Sequence, residues 1–92
     1  MNHEKSAEDC IHEVLDLLSS VYSSFGLDEA AKRVESLKDN SLPIIIDKLS
    51  LMERTAGPAE LMRTIAMAKQ ALTGKAERGP FLEHCLRLSG LR

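Results

Sequence analysis

The chain has no tryptophan, one tyrosine and two phenylalanines, so aromatic residues make up only 3% of its 92 positions. A surface this poor in aromatics offers neither the stacking platforms that hold single-stranded nucleic acid nor the cages that hold quaternary ammonium groups. No apolar run approaches the ~18 consecutive residues that a membrane-spanning helix needs. Cysteine is equally scarce. Cys10 and Cys85 stand near opposite ends, too few for the disulfide framework of a small secreted domain. Both fall on apolar helix faces, where a free thiol behaves as a small hydrophobe. Reduced, buried thiols are expected, with a bridge between the terminal helices as the alternative. Phosphate-cradling glycine loops are missing too: there is no Gly-x-Gly-x-x-Gly and no Gly-x-x-x-x-Gly-Lys-Ser/Thr. The first nine residues are charged and mostly acidic, unlike a secretory signal, so the expected compartment is the cytoplasm.

What the chain does have is aliphatic. Fourteen Leu, five Ile, three Val and four Met supply the core, and charged residues make up 28%. That balance and the length predict a single helical domain over 1–92, with 1–5 frayed. Net charge is −2 overall but −6 over residues 1–53 and +4 over residues 54–92. Asymmetry of this kind can mark a nucleic-acid surface. The simpler expectation is that early acidic helices pack beside late basic ones.

Apolar residues recur at spacings of three and four, the helical period, and five segments follow. The first runs from about Ser6 to Phe25. Its apolar face is Ala7, Cys10, Ile11, Val14, Leu15, Leu17, Leu18, Val21, Tyr22 and Phe25, and Gly26 suits the left-handed residue that closes a helix. The second runs from Leu27 or Asp28 to Lys38, with a narrow stripe of Leu27, Ala30, Ala31, Val34 and Leu37. The third, Leu42 to Arg54, carries one face of Leu42, Ile45, Ile46, Leu49 and Met52 and a second stripe of Ile44 and Leu51. A helix apolar on two sides is either central or shared with a partner, and this segment is expected to be the most buried. The fourth and fifth start at Gly57-Pro58 and Gly79-Pro80, read as N-cap and N1 pairs. The fourth shows a core face of Leu61, Met62, Ile65, Ala68 and Leu72, with Met67 opposite, and stops at Gly74. The fifth shows an arc of Phe81, Leu82, Cys85, Leu86 and Leu88, and stops at Gly90. The fold expected is all-α, a compact bundle of four to five short amphipathic helices.

No constellation predicts catalysis, and the chain is read as no enzyme, with no cofactor and no metal site. His12-Glu13-Val14-Leu15-Asp16 falls one imidazole short of the His-Glu-x-x-His zinc motif. Glu8, His12 and Asp16 together span about 12 Å of helix, too far for one ion. His84 and Cys85 are neighbours whose side chains diverge by about 100°, so the imidazole is poorly placed to activate the thiol. For nucleic acid, Arg54, Arg63, Lys69, Lys75, Arg78, Arg87 and Arg92 are available, but both late helices begin on apolar and acidic residues, poor reading heads for a groove.

The surplus apolar positions carry the most information. Ile44, Leu51, Met67, Phe81, Leu88 and Leu91 lie opposite or at the margins of the core faces, and together they would make a large patch if left in water. They are the expected partner interface. The function expected is a small cytosolic protein–protein interaction module, a regulator, antagonist or chaperone acting by helix-face docking. Its partner would be a protein, and self-association as a homodimer is expected as well; membrane and small-molecule ligands are not expected. The alternative is a nucleic-acid-binding regulator using residues 54–92.

Overall fold

The computed structural model places the first helix, and not the third, at the centre of the molecule. The structure describes residues 7–75 and 77–89, with side chains from residue 9 onward. The expectations of fraying over residues 1–5, of a cap at Ser6, of a stop at Gly90 and of an interface at Leu91 fall outside the described residues. Five α-helices are present and no strand occurs among the described residues: α1 (Ala7–Ser24), α2 (Asp28–Ser36), α3 (Leu42–Thr55), α4 (Ala59–Leu72) and α5 (Arg78–Ser89). A 3-10 turn, Leu37–Asp39, continues α2. The radius of gyration is 12.4 Å, close to the ~12 Å of a compact domain this long, and no helix among the described residues is long and apolar enough to cross a membrane.

Helix α1 packs against α2, α4 and α5. Val14, Leu15, Leu18, Val21 and Tyr22 are buried along it. Two glycines turn the chain back. Gly26, at φ +78°, closes α1 in a Schellman motif. Its N–H donates to the Ser23 carbonyl and the Leu27 N–H to the Tyr22 carbonyl at 2.9 and 3.0 Å. Gly74, at φ +76°, closes α4 the same way, through the Ala71 and Gln70 carbonyls. After Gly26, α2 folds back along α1 closely enough for the buried Ser19 hydroxyl to donate to the Ala31 carbonyl at 3.2 Å. Small side chains at both positions permit that approach.

Three expectations are corrected. Helix α3 is not the most buried: only Ile45 and Leu49 are fully covered on it. It packs chiefly on α4, and one principal neighbour can cover only one of its two apolar stripes. Pro58 sits at the N-cap of α4 in extended conformation, and not at N1. Helix α5 begins at Arg78, so Gly79-Pro80 fall inside its first turn.

The expected faces of α4 and α5 are buried at Leu61, Ile65, Ala68, Phe81 and Cys85, and the structure departs from them at a few positions. On α4 the buried residues are Leu61, Thr64, Ile65 and Ala68, while Met62 is 39% exposed. On α5 they are Phe81 and Cys85, while Leu82 is 38% exposed. The cause is a polar pair. The fully buried Thr64 hydroxyl lies 2.8 Å from His84 Nε2 and donates to its own helix at the Glu60 carbonyl, 2.7 Å away. With its polar atoms satisfied, a polar residue tolerates burial, and each helix turns toward the other.

Ion pairs knit the helices across the charge asymmetry. Glu13 of α1 pairs with Arg78 of α5, and Glu53 of α3 with Lys69 of α4 at 2.6 Å. Both join an acid of the first half to a base of the second, as the simpler reading of the charge pattern expects. Asp16 and Glu35 hold Lys38, and those hydrogen bonds, Asp16 first, keep its ammonium above the ordinary lysine range.

A candidate interaction groove between helices α2 and α3

Helix α2 is held by α1 and α3 by α4, so α2 and α3 touch little of each other. The space between them is a groove made of two adjoining cavities of about 400 and 390 Å³. Arg33, Met52 and Thr55 line both, which makes the groove continuous. Leu37 and Tyr22, both buried, form its floor with Met52 and Leu61. Leu51 forms one wall and is 55% exposed, and Leu27, 39% exposed, stands at the far end. From Lys48 to Thr55, α3 rises about 10 Å at 1.5 Å per residue, the length of two turns of an incoming helix.

The polar character of the groove is sparse and one-signed. Its charged lining residues are Arg33 and Lys48, and neither is in an ion pair among the described residues. Tyr22 supplies a hydroxyl, which burial keeps above the ordinary tyrosine pKa. That hydroxyl has no hydrogen-bond partner among the described residues. Because no fully buried polar side-chain atom there is left unpaired, it opens to the surface. An apolar trough with a few placed polar groups is the usual form of a binding site.

The expected interface residues divide. Ile44 and Leu51 are exposed on α3, at 44% and 55%. Met67 and Leu88 are partly buried and pack against the core, so they are not free surface. Phe81 is corrected outright: it is 1% exposed and among the largest core side chains. Placing α5's arc around Leu82 and Leu86 puts Phe81 at its margin, whereas the Thr64–His84 contact turns the helix so that Phe81 becomes the centre. Leu91 lies outside the described residues. Sequence reasoning missed Tyr22, Leu27, Leu37 and Met52 as groove residues. Each sits on an ordinary apolar stripe, and only the divergence of α2 from α3 gives those stripes a common opening.

The other candidates for chemistry are dispersed. Among the described residues no group of three or more His, Cys, Asp or Glu side chains is placed to hold a metal ion. Both cysteines are free thiols, Cys10 half-buried and Cys85 buried. Burial pushes the Cys85 thiol up to about 12, which suppresses the thiolate, the reactive form. A chromogenic disulfide reagent at pH 8 is therefore expected to titrate one thiol per native chain, Cys10, and the second only on unfolding. Rapid reaction of both in the native protein would contradict the burial of Cys85.

Comparison with known protein families, with curated proteins and with solved structures finds no match to this chain. Its functional reading rests on its own residues.

Proposed function

We propose that this protein is a protein–protein interaction module that seats an amphipathic helix of a partner protein in the α2–α3 groove. The observation that carries the proposal is the groove itself: a continuous apolar floor with Leu51 and Leu27 exposed on its walls. Helix-in-groove recognition uses apolar anchors at i, i+3 or i+4, and i+7 on the bound segment, and a two-turn trough matches that span. Arg33 and Lys48 at the rim select for acidic residues flanking the anchors. A regulator, an antagonist or a chaperone would each use such a surface.

Self-association is the competing arrangement. A two-fold dimer closed groove to groove would oppose both copies' Arg33 and Lys48, and like charges facing each other oppose assembly. The basic half as a nucleic-acid surface has less support, because Lys69 and Arg78 are engaged by Glu53 and Glu13.

The test begins with light scattering across a dilution series under reducing conditions. A monomer is expected at tens of micromolar; a stable dimer that Leu51→Glu dissociates would replace the foreign partner with a second copy. A displayed library of 16-residue helical peptides is then selected against the wild-type chain. Enriched peptides are expected to carry spaced apolar anchors with flanking Asp or Glu. They are expected to lose about tenfold or more in affinity for Leu51→Glu, the effect of an anchor contact worth ~1.4 kcal/mol. Binding that is indifferent to Leu51→Glu and to Arg33→Glu, or no enrichment at all, would overturn the proposal.

A further inference from the structure

A second cleft, of about 350 Å³, opens between α4 and α5 on residues that the groove does not use. Glu60 and Arg63 line it from α4, His84, Arg87 and Leu88 from α5. The spacing is i, i+3 on both helices, so each places a guanidinium one turn beyond its first polar residue. Lys38, Lys69 and Arg78 all have carboxylate partners elsewhere in the fold. Arg63 and Arg87 have none among the described residues, although Glu60 shares the cleft.

His84 is set in this cleft by its contact with Thr64. With the Thr64 hydroxyl donating to the Glu60 carbonyl, the 2.8 Å contact is assigned with His84 Nε2 as donor and Thr64 Oγ1 as acceptor. The neutral ring then keeps Nδ1 as a vacant acceptor. Three effects lower the His84 pKa below its ordinary value: burial first, then the charges of Arg87 and of Arg63. Only Glu60 acts against them. The imidazole thus senses a cleft whose potential is positive, and a bound anion would reverse that field and let Nδ1 take up a proton.

We propose that the α4–α5 cleft is an anion site that binds a dianionic phosphate group between Arg63 and Arg87, with His84 as the third donor. Two guanidinium forks match phosphate oxygens in geometry as well as charge. A dianion draws on the extra proton of His84, whereas a monoanionic carboxylate is met by Arg63 and Arg87 against Glu60 and gains little. The chemistry recognised is the same for a free phosphate and for one carried on a serine side chain.

The test is a titration of the full chain, followed by the His84 ring resonances, with inorganic phosphate, an O-phosphoserine peptide, and acetate at matched ionic strength. His84→Gln assigns the signal. Saturable shifts with both phosphate probes, a raised His84 pKa in the bound state and no response to acetate are expected. Arg63→Gln and Arg87→Gln are each expected to weaken phosphate binding about tenfold, the loss of one charge-assisted contact, while Arg54→Gln on α3 leaves it unchanged. Tighter binding of the peptide than of inorganic phosphate identifies a phosphorylated protein as the source, and the reverse identifies a free phosphate. Acetate matching phosphate, or the two arginine variants binding normally while folded by their amide spectra, would overturn the site. A 12-nucleotide single strand binding more tightly than either phosphate probe through the same arginines would overturn it in favour of a phosphodiester backbone.

Discussion

Phe81→Ala is expected to cost about 3–5 kcal/mol of folding stability, the range for removing a fully buried aromatic side chain. A domain of this size has only about 5–14 kcal/mol to lose at the usual 0.05–0.15 kcal/mol per residue. The variant should therefore unfold at a much lower urea concentration, and part of it should be unfolded without denaturant at 37 °C. Leu51→Ala, by contrast, removes a side chain that is 55% exposed and is expected to change stability by no more than about 0.5 kcal/mol. The pair discriminates core from interface. If Phe81→Ala left the urea midpoint unchanged but abolished partner binding, Phe81 would belong to a docking surface, contrary to its 1% exposure.

Leu18→Ala should be of similar severity, about 2–5 kcal/mol, with the spread set by how far the surroundings collapse into the vacated space. Leu18 is fully buried on α1, the helix that α2, α4 and α5 share. For a domain under 100 residues this corresponds to a fall in Tm of roughly 10 °C or more. Hydrogen exchange supplies the sharper measurement. The α1 amides are expected to exchange only by global unfolding, and to lose protection by the full amount that Leu18→Ala removes. The α3 amides, on a helix with one principal neighbour, are expected to exchange by a smaller opening. Amides of α3 protected as strongly as those of α1 would show that α3 is the centre after all.

Much of the architecture was legible because it depends on local chemistry. The 3.6-residue period of α1 needs no partner to be seen, and Val14, Leu15, Leu18, Val21 and Tyr22 are buried as the pattern requires. Gly26 and Gly74 were readable as helix stops because a left-handed residue strongly favours glycine. Opposite charge in the two halves foretold pairs such as Glu13–Arg78 and Glu53–Lys69. The register of α4 and α5 was not legible in the same way. An apolarity count assigns Met62 and Leu82 inward and Thr64 and His84 outward. It cannot register that a threonine and a histidine twenty positions apart contact one another, which lets Thr64 be buried beside a half-buried His84. Phe81 was misplaced for that reason.

The candidate site divides along the same line. Leu51 stood out because it lies opposite its helix's own main face, and it is exposed on the groove wall, whereas Ile44, picked out on the same ground, is exposed but lines neither cavity of the groove. The groove floor did not stand out, since Tyr22, Leu37, Met52 and Leu61 come from four separate elements and each reads alone as core. The cleft of Arg63, His84 and Arg87 was likewise invisible, because it exists only where α4 and α5 pack side by side.

By itself, then, the sequence determined an all-α chain of four to five helices, their approximate ends, most of the faces that must leave water and the balance of charge between halves. These follow from periodicity, backbone sterics and composition, which act over a few residues. Only the tertiary structure decided that α1 and not α3 is central, that α4 and α5 turn their polar pair inward, and that α2 and α3 part to leave a groove. Those outcomes depend on how many neighbours each helix can reach and on which polar atoms find partners across helices, and neither is encoded within one turn of chain.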